Sequence, residues 1–537
     1  MTPNAKQDAI VAVSLANLLM SASWRNLLFP STFDYHIQTG AGPLDFAGVL
    51  IIFATLAALI YGTLSAAGRF FAEDRATVIR GAVVTVLAVS AINVVRLQFL
   101  DQTPEIVSLL VIPVGLLGWL LLGLTRFRGP VFAAGRVAAL VLAPFVFVTI
   151  GNTILAITSF DTKADTEEPI DGQIARIPPR EAGSIRRVVW IVFDEFDYRT
   201  AFDLKAVELP ELARLRAEGF FATQALSPSE NTLDSIPGLL TGKVVLKAEP
   251  AGNAELRLRF RDGSLGELRS EETVFTDVTA LGGTSAALGW YHPYCRVFRD
   301  SLSACRWDGV GFSRYQTVSE SVTGNLYKLF EHLPFVSDPN YLKTSKGFSK
   351  VDNFEFLESE HETAEVERRY GRLLADSKLI ASDSRIDLAF LHMPFPHAPV
   401  LFDRTTRAFT VERRDYVNNL VLTDLYIGEL RRAMESAGVW ESTALIISSD
   451  HQWRIDRWKL SESTNKLALT DGDLALTGGV EDKRIPFIVR FPGRSATVEY
   501  ARPVNTAETR RVVSGIMNGR ISTAADVAEH FDASGHP

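Results

Sequence analysis

Apolar residues crowd into the first third of this 537-residue chain, in five runs: Ile10–Leu28, Phe46–Ala67, Gly81–Val95, Ile106–Leu124 and Val137–Ile157. Most come near the ~20 residues that cross a bilayer as a helix, so residues 1–158 are predicted to form a transmembrane domain of about five helices. The third run is the shortest, and its flanks carry Arg80 and Arg96, whose long side chains can snorkel to the headgroups. Residues 159–184 are polar and acidic with a Pro-Pro pair and read as a linker. Beyond them the pattern changes. Short apolar runs (Val188–Phe193, Ser285–Trp290, Leu388–Leu391, Ala444–Ser448) alternate with helical patterns such as 209–219 and 411–438. Continuous runs like VVWIVF fit strands covered on both faces, so 185–537 is predicted to be an α/β domain with a central, mostly parallel sheet.

Charge gives the helices a direction. Arg69, Arg75 and Arg80, then Arg126, Arg128 and Arg136, follow the second and fourth runs, whereas the other links are nearly free of Lys and Arg. Positive links face the cytoplasm, which puts the N-terminus inside with Lys6 and delivers the α/β domain to the far side. The expected location is therefore a bacterial inner membrane, crossed several times, with a periplasmic or extracellular domain. The alternative for the first run is a cleaved signal peptide ending near Ser21–Ser23, which would leave four spans and reverse the domain's side. The two cysteines, Cys295 and Cys305, are close enough to form a disulfide in an oxidising compartment, the other reading being two buried thiols; a zinc site would need more ligands. A net charge of −8 without a basic, aromatic-interleaved stripe argues against nucleic acid.

Candidate chemistry gathers where strands are expected to end, as ligands do in open α/β sheets. Asp194 and Glu195 close one strand pattern, and Asp450 and His451 close another. Oxygen and nitrogen ligands of this kind suit zinc or manganese, with calcium possible. A lone Asp after a strand is more often a cap or turn residue; two such motifs together shift the balance to a metal. His392 and His397, after a third strand, are assigned to substrate contact or a second metal, and His292 to a loop or the rim of the site. Thr232 opens a helical pattern with Pro237 near its start. Its hydroxyl could be a metal-activated nucleophile beside backbone N–H groups that suit a phosphate, or Thr232 or Ser235 could simply cap the helix.

These residues resemble known motifs. Thr232, Ser235 and LLTG at 239–242 reproduce a sulfatase spacing, and Thr232, Ser235 and Pro237 match the Thr-x-x-Ser-x-Pro setting of phosphoethanolamine transferases. The domain resembles the alkaline phosphatase and sulfatase superfamily, and the preceding spans resemble membrane-anchored phosphoethanolamine transferases and lipoteichoic acid synthases. The resemblance implies Asp194, Thr232, Asp450 and His451 as metal ligands, with Glu195 at the place of a second sulfatase Asp. It further implies that His397 contacts substrate or a second metal and that Lys483 touches the transferred group. Departures are Gln452 in place of Gly, no histidine after His451 until His530, and no sulfatase activation signal, since Thr232, Asp234 and Ile236 occupy its places. A formylglycine cannot be made from Thr, which argues against a true sulfatase.

The expected activity is a membrane-anchored, metal-dependent phosphotransfer of a phospholipid headgroup, phosphoethanolamine or phosphoglycerol, through a phospho-threonine to a glycan or lipid acceptor. The rivals are a phosphodiesterase or phosphatase using water, and a non-catalytic envelope assembly factor.

Overall fold

The computed structural model describes residues 3–20, 24, 35–36, 43–99, 128–158, 168–179, 185–309, 360–460, 469–493 and 496–534. The chain divides into two compact units, one of 1–31, 39–166 and 312–352, the other of 32–38, 167–311 and 353–537.

In the first unit the described helices are Pro3–Leu19, Pro43–Phe70, Glu73–Phe99, Arg128–Leu142 and Phe145–Thr158. Val11, Leu15, Ile60, Leu64 and Val84 pack at their centre, while Leu59, Val141, Phe147 and Leu155 face outward. Among the described residues two stretches are long and apolar enough to cross a membrane, Phe46–Phe70 and Phe132–Leu155. The predicted run Ile106–Leu124 lies outside the described residues. The third run sits in a longer helix that includes Glu73, Asp74, Arg75 and Arg80. Arg80 turns inward, donating from Nε to the Leu64 carbonyl (2.8 Å) and pairing with buried Asp8, which Arg136 also approaches. A buried carboxylate needs a counter-charge, which accounts for the inward turn.

The second unit is built on an eight-stranded sheet. Its strands are β1 (Arg187–Asp194), β2 (Gly219–Ala222), β3 (Ser285–Trp290), β4 (Ala304–Asp308), β5 (Leu388–Pro396), β6 (Thr443–Ser449), β7 (Phe487–Arg490) and β8 (Val498–Tyr500). Their order is β8-β2-β7-β6-β1-β5-β3-β4, with β7 alone running against the rest. β1 is buried along its whole length. Its alternate residues feed two cores, Val188, Trp190 and Val192 on one face, Val189, Ile191 and Phe193 on the other.

Part of the predicted linker is packed. Ile170–Ala175 forms a helix whose Ile170 and Ile174, followed by Ile177, join the second core. Gln173 fixes it to Cys305, accepting from its N–H and donating to its carbonyl. Polar composition hid an apolar stripe at helical spacing. Cys295 and Cys305 are joined by a disulfide.

Candidate functional site

Strand register assembles the site. β1 and β6 run parallel with Phe193 opposite Ser449, so the next residues, Asp194 and Asp450, leave the sheet side by side. The Asp450 N–H continues the pairing to the Phe193 carbonyl (3.0 Å). Glu195 then takes a left-handed conformation (φ 59°), which turns its N–H onto Asp450 Oδ1 (3.2 Å). β5 bulges at Asp194, and the His397 N–H donates to the Asp194 carbonyl (3.0 Å).

The helix Thr232–Thr241 brings the hydroxyl. Its N-cap is Asn231, whose side chain accepts from the Asp234 N–H (3.1 Å). The capping role open to Thr232 is thus taken by its neighbour, and Thr232 Oγ1 lies 3.2 Å from His451 Nε2. Ser235 does not cap either; its hydroxyl donates to the Asp450 carbonyl and ties the helix to the end of β6.

Asp194, Asp450 and His451 are wholly buried and could hold a metal, each offering one ligand atom within 4.8 Å of the others. His451 Nε2 stands 3.5 Å from Asp194 Oδ1 and 3.4 Å from Asp450 Oδ2. Those two carboxylate oxygens are buried and accept no hydrogen bond. His451 Nδ1 faces the Gln452 carbonyl at 2.9 Å; a carbonyl only accepts, so Nδ1 carries the proton and Nε2 keeps its lone pair. Three acidic side chains (Asp194, Glu195, Asp450) against one guanidinium (Arg454) leave a surplus of two negative charges. Orphaned oxygens, a free imidazole lone pair and that surplus all fit a divalent cation.

Without such a cation the site is electrostatically unfavourable. Burial, then the charges of Asp450 and Glu195, hold the Asp194 carboxyl well above the usual range. Burial pushes Asp450 up to about 7, against the opposing charge of Arg454 and the N–H groups of His451 and Glu195. Burial, reinforced by Arg454, keeps His451 neutral well below its ordinary value.

The remaining sequence-assigned residues lie elsewhere. Glu195 turns from the metal group to Arg454 Nε (2.7 Å) and Trp458 Nε1 (3.2 Å). His397 is buried, its Nδ1 directed at the Ala398 carbonyl (2.6 Å) and its Nε2 accepting from Arg454 Nη2 (3.4 Å), between the rings of Trp290 and Trp458. His392 is fully buried, with Nδ1 at Tyr294 Oη (2.7 Å). His292 is also buried, and its Nε2 lies 3.0 Å from the Thr232 carbonyl, a place inside the domain and not at its rim. Lys483 is half exposed and paired with Glu230 (2.8 Å) and Glu481 (2.6 Å). Gln452 is accommodated by donating to Glu481 (3.1 Å).

Arg454 and Trp458 escaped the sequence reading. The available signal was a cation three residues beyond an Asp-His pair, where a buried charge demands a partner.

Residues 332–518 match the family model described as Sulfatase, a span that includes Asp450 and His451 but neither Asp194 nor Thr232. No curated protein matches the chain. Similar solved structures include the lipoteichoic acid synthase LtaP from Listeria monocytogenes (13% identity, 62% of this chain and 72% of that one, TM-score 0.36). Others are a protein in the alkaline phosphatase superfamily from Vibrio parahaemolyticus (12%, 63% and 67%, TM-score 0.37) and the putative sulfatase yidJ from Bacteroides fragilis (12%, 67% and 81%, TM-score 0.37). Over residues 332–518 the chain is thus similar to the Sulfatase family model.

Proposed function

We propose that this protein is a membrane-anchored phosphotransferase that moves a phospholipid headgroup, phosphoethanolamine or phosphoglycerol, to a glycan or lipid acceptor outside the cytoplasmic membrane. The observation that carries the reading is the position of Thr232. Its hydroxyl, not used as the helix cap, meets His451 Nε2 at 3.2 Å, on a helix start beside two orphaned carboxylate oxygens.

Asp194, Asp450, His451 and the Thr232 hydroxyl would hold a divalent metal, zinc or manganese by their mixed oxygen and nitrogen chemistry. Such an ion supplies Lewis acidity, lowering the hydroxyl's pKa and balancing charge on the phosphoryl oxygens. The chain's own residues do the rest. Thr232 Oγ1 attacks the phosphorus of the phosphodiester, the bond from phosphorus to the diacylglycerol oxygen breaks, and the proton given up by Thr232 ends on that departing oxygen. A phospho-threonine ester remains, and an acceptor hydroxyl displaces Thr232 in a second, reverse-sense step. Backbone N–H groups at the start of the helix Thr232–Thr241 face the phosphate. Arg454 stays engaged with Glu195 and lowers the local negative charge. Apolar helices in residues 1–158, five in this proposal, hold the domain beside its lipid donor, and the disulfide suits an oxidising compartment.

Purified full-length protein incubated with labelled phospholipid is expected to carry a headgroup-phosphate mass on the Thr232 peptide. Release of free headgroup phosphate without transfer would assign the site to hydrolysis. A Thr232→Ala protein that folds and transfers at the normal rate would sink the mechanism.

A further inference from the structure

Tyr35 comes from a stretch between two N-terminal helices, yet residues 32–38 belong to the second compact unit. Its ring is completely buried in the same core as Trp190, Ile236 and Leu239. His36 beside it packs against Tyr291 (ring centroids 4.6 Å apart), with Nδ1 3.2 Å from the Tyr291 carbonyl. A buried tyrosine hydroxyl usually needs a partner, and Tyr35 Oη finds His292 Nδ1 at 2.8 Å. The other nitrogen of that ring, Nε2, lies 3.0 Å from the Thr232 carbonyl.

The donors and acceptors along this chain are fixed by elimination. The Thr232 carbonyl can only accept, so His292 Nε2 carries the ring proton. Nδ1 is then a lone pair, and Tyr35 must donate to it. If the Tyr35 hydroxyl is removed, Nδ1 is left a buried lone pair without a donor, and the ring loses the contact that holds its far side while Nε2–H reaches the carbonyl. The Tyr35 hydroxyl therefore holds the His292 ring in the orientation whose Nε2–H pins the backbone of Thr232. We infer that Tyr35 is a positioning residue for Thr232, acting through His292, so that a segment of the N-terminal third completes the site. The inference rests on Thr232 being the nucleophile.

The test uses full-length protein in nanodiscs. Tyr35→Phe keeps the ring and its packing while deleting the donor. Losing such an outer partner typically costs 10- to 100-fold, so adduct formation on Thr232 should slow at least about tenfold at saturating lipid, with the half-saturating lipid concentration unchanged. In a His292→Gln background, where an amide can donate to the carbonyl without help, adding Tyr35→Phe should change the rate less than about twofold, because the two residues act through one contact. Nitrogen-15 histidine spectra supply a readout independent of turnover: His292 should be the Nε2–H tautomer in the wild type, with an Nδ1 resonance displaced by the hydrogen bond from Tyr35, and that displacement should be lost in Tyr35→Phe. A wild-type rate in Tyr35→Phe, multiplicative effects in the double variant, or an unchanged His292 Nδ1 resonance would each overturn the inference. A wild type that forms no adduct refutes the transferase reading instead, and the His292 Nδ1 resonance then decides the relay alone.

Discussion

Asp194 and Glu195 are adjacent in sequence and equally buried, yet they live in opposite halves of the site. The Asp194 half, with Asp450, His451 and Thr232, has carboxylate oxygens that accept nothing. The Glu195 half is closed, its carboxylate held by Arg454 and Trp458, with His397 joined to the same guanidinium. A left-handed turn at Glu195 separates the two. One half thus needs a cation from outside and the other already contains one in Arg454, which teaches that a strand-end acidic pair need not be a pair of ligands.

The sharpest break of this contrast is Thr232→Ala, expected to lower transfer on the order of 10³-fold or more while leaving the closed half and the fold intact, as read by adduct mass spectrometry and by thermal melting. Next comes Arg454→Gln. Removing one partner of a buried pair costs roughly 3–5 kcal/mol, so a large fall in melting temperature is expected with metal content still at one ion per chain by elemental analysis. Two ions per chain in that variant would show that Glu195 is a ligand held in reserve. Asp450→Asn should abolish the bound ion without that loss of stability, since it removes an uncompensated charge.

Acidity separates the halves more gently. In metal-free protein the Asp194 and Asp450 carboxyls are both raised, Asp450 to about 7. The folded state then keeps protons that the unfolded chain releases, so their stabilising contribution is full below about pH 4 and is lost as pH rises through about 7. The melting temperature of metal-free protein should therefore fall between about pH 5 and about pH 8, and stabilisation by added zinc or manganese should grow over the same window. A flat profile with metal removed would place both carboxylates in salt bridges. The smallest effect belongs to Lys483→Ala. An exposed paired lysine is worth under about 1 kcal/mol, so transfer should change only a few-fold; a loss of about 100-fold would give Lys483 a direct role in the site.

The open half was legible in the sequence because each of its members adjoins an apolar run: Asp194 and Asp450 end strands, and Thr232 begins a helix. Parallel register then makes the two strand ends neighbours. The closed half was not legible, since Glu195 differs from Asp194 only by a backbone turn, and its partners Arg454 and Trp458 are set by tertiary packing. Tyr35 was less legible still, as nothing local ties it to His292, 257 positions away. The α/β pattern was plain from composition and periodicity, whereas the packed turn at Ile170–Ala175 was masked by its polar neighbours.

The pairing of β1 also constrains how the molecule is made. This wholly buried strand is flanked by β5 and β6, whose first residues lie about 200 and 256 positions downstream. While the ribosome works through that interval, RVVWIVFD has neither of its native edges, and an apolar strand with open edges is a template for aggregation. A chain stopped before Thr443 would keep one such edge bare for good. Production of this protein is therefore expected to depend on a holding chaperone during elongation, and fragments ending between β5 and β6 are expected to be insoluble.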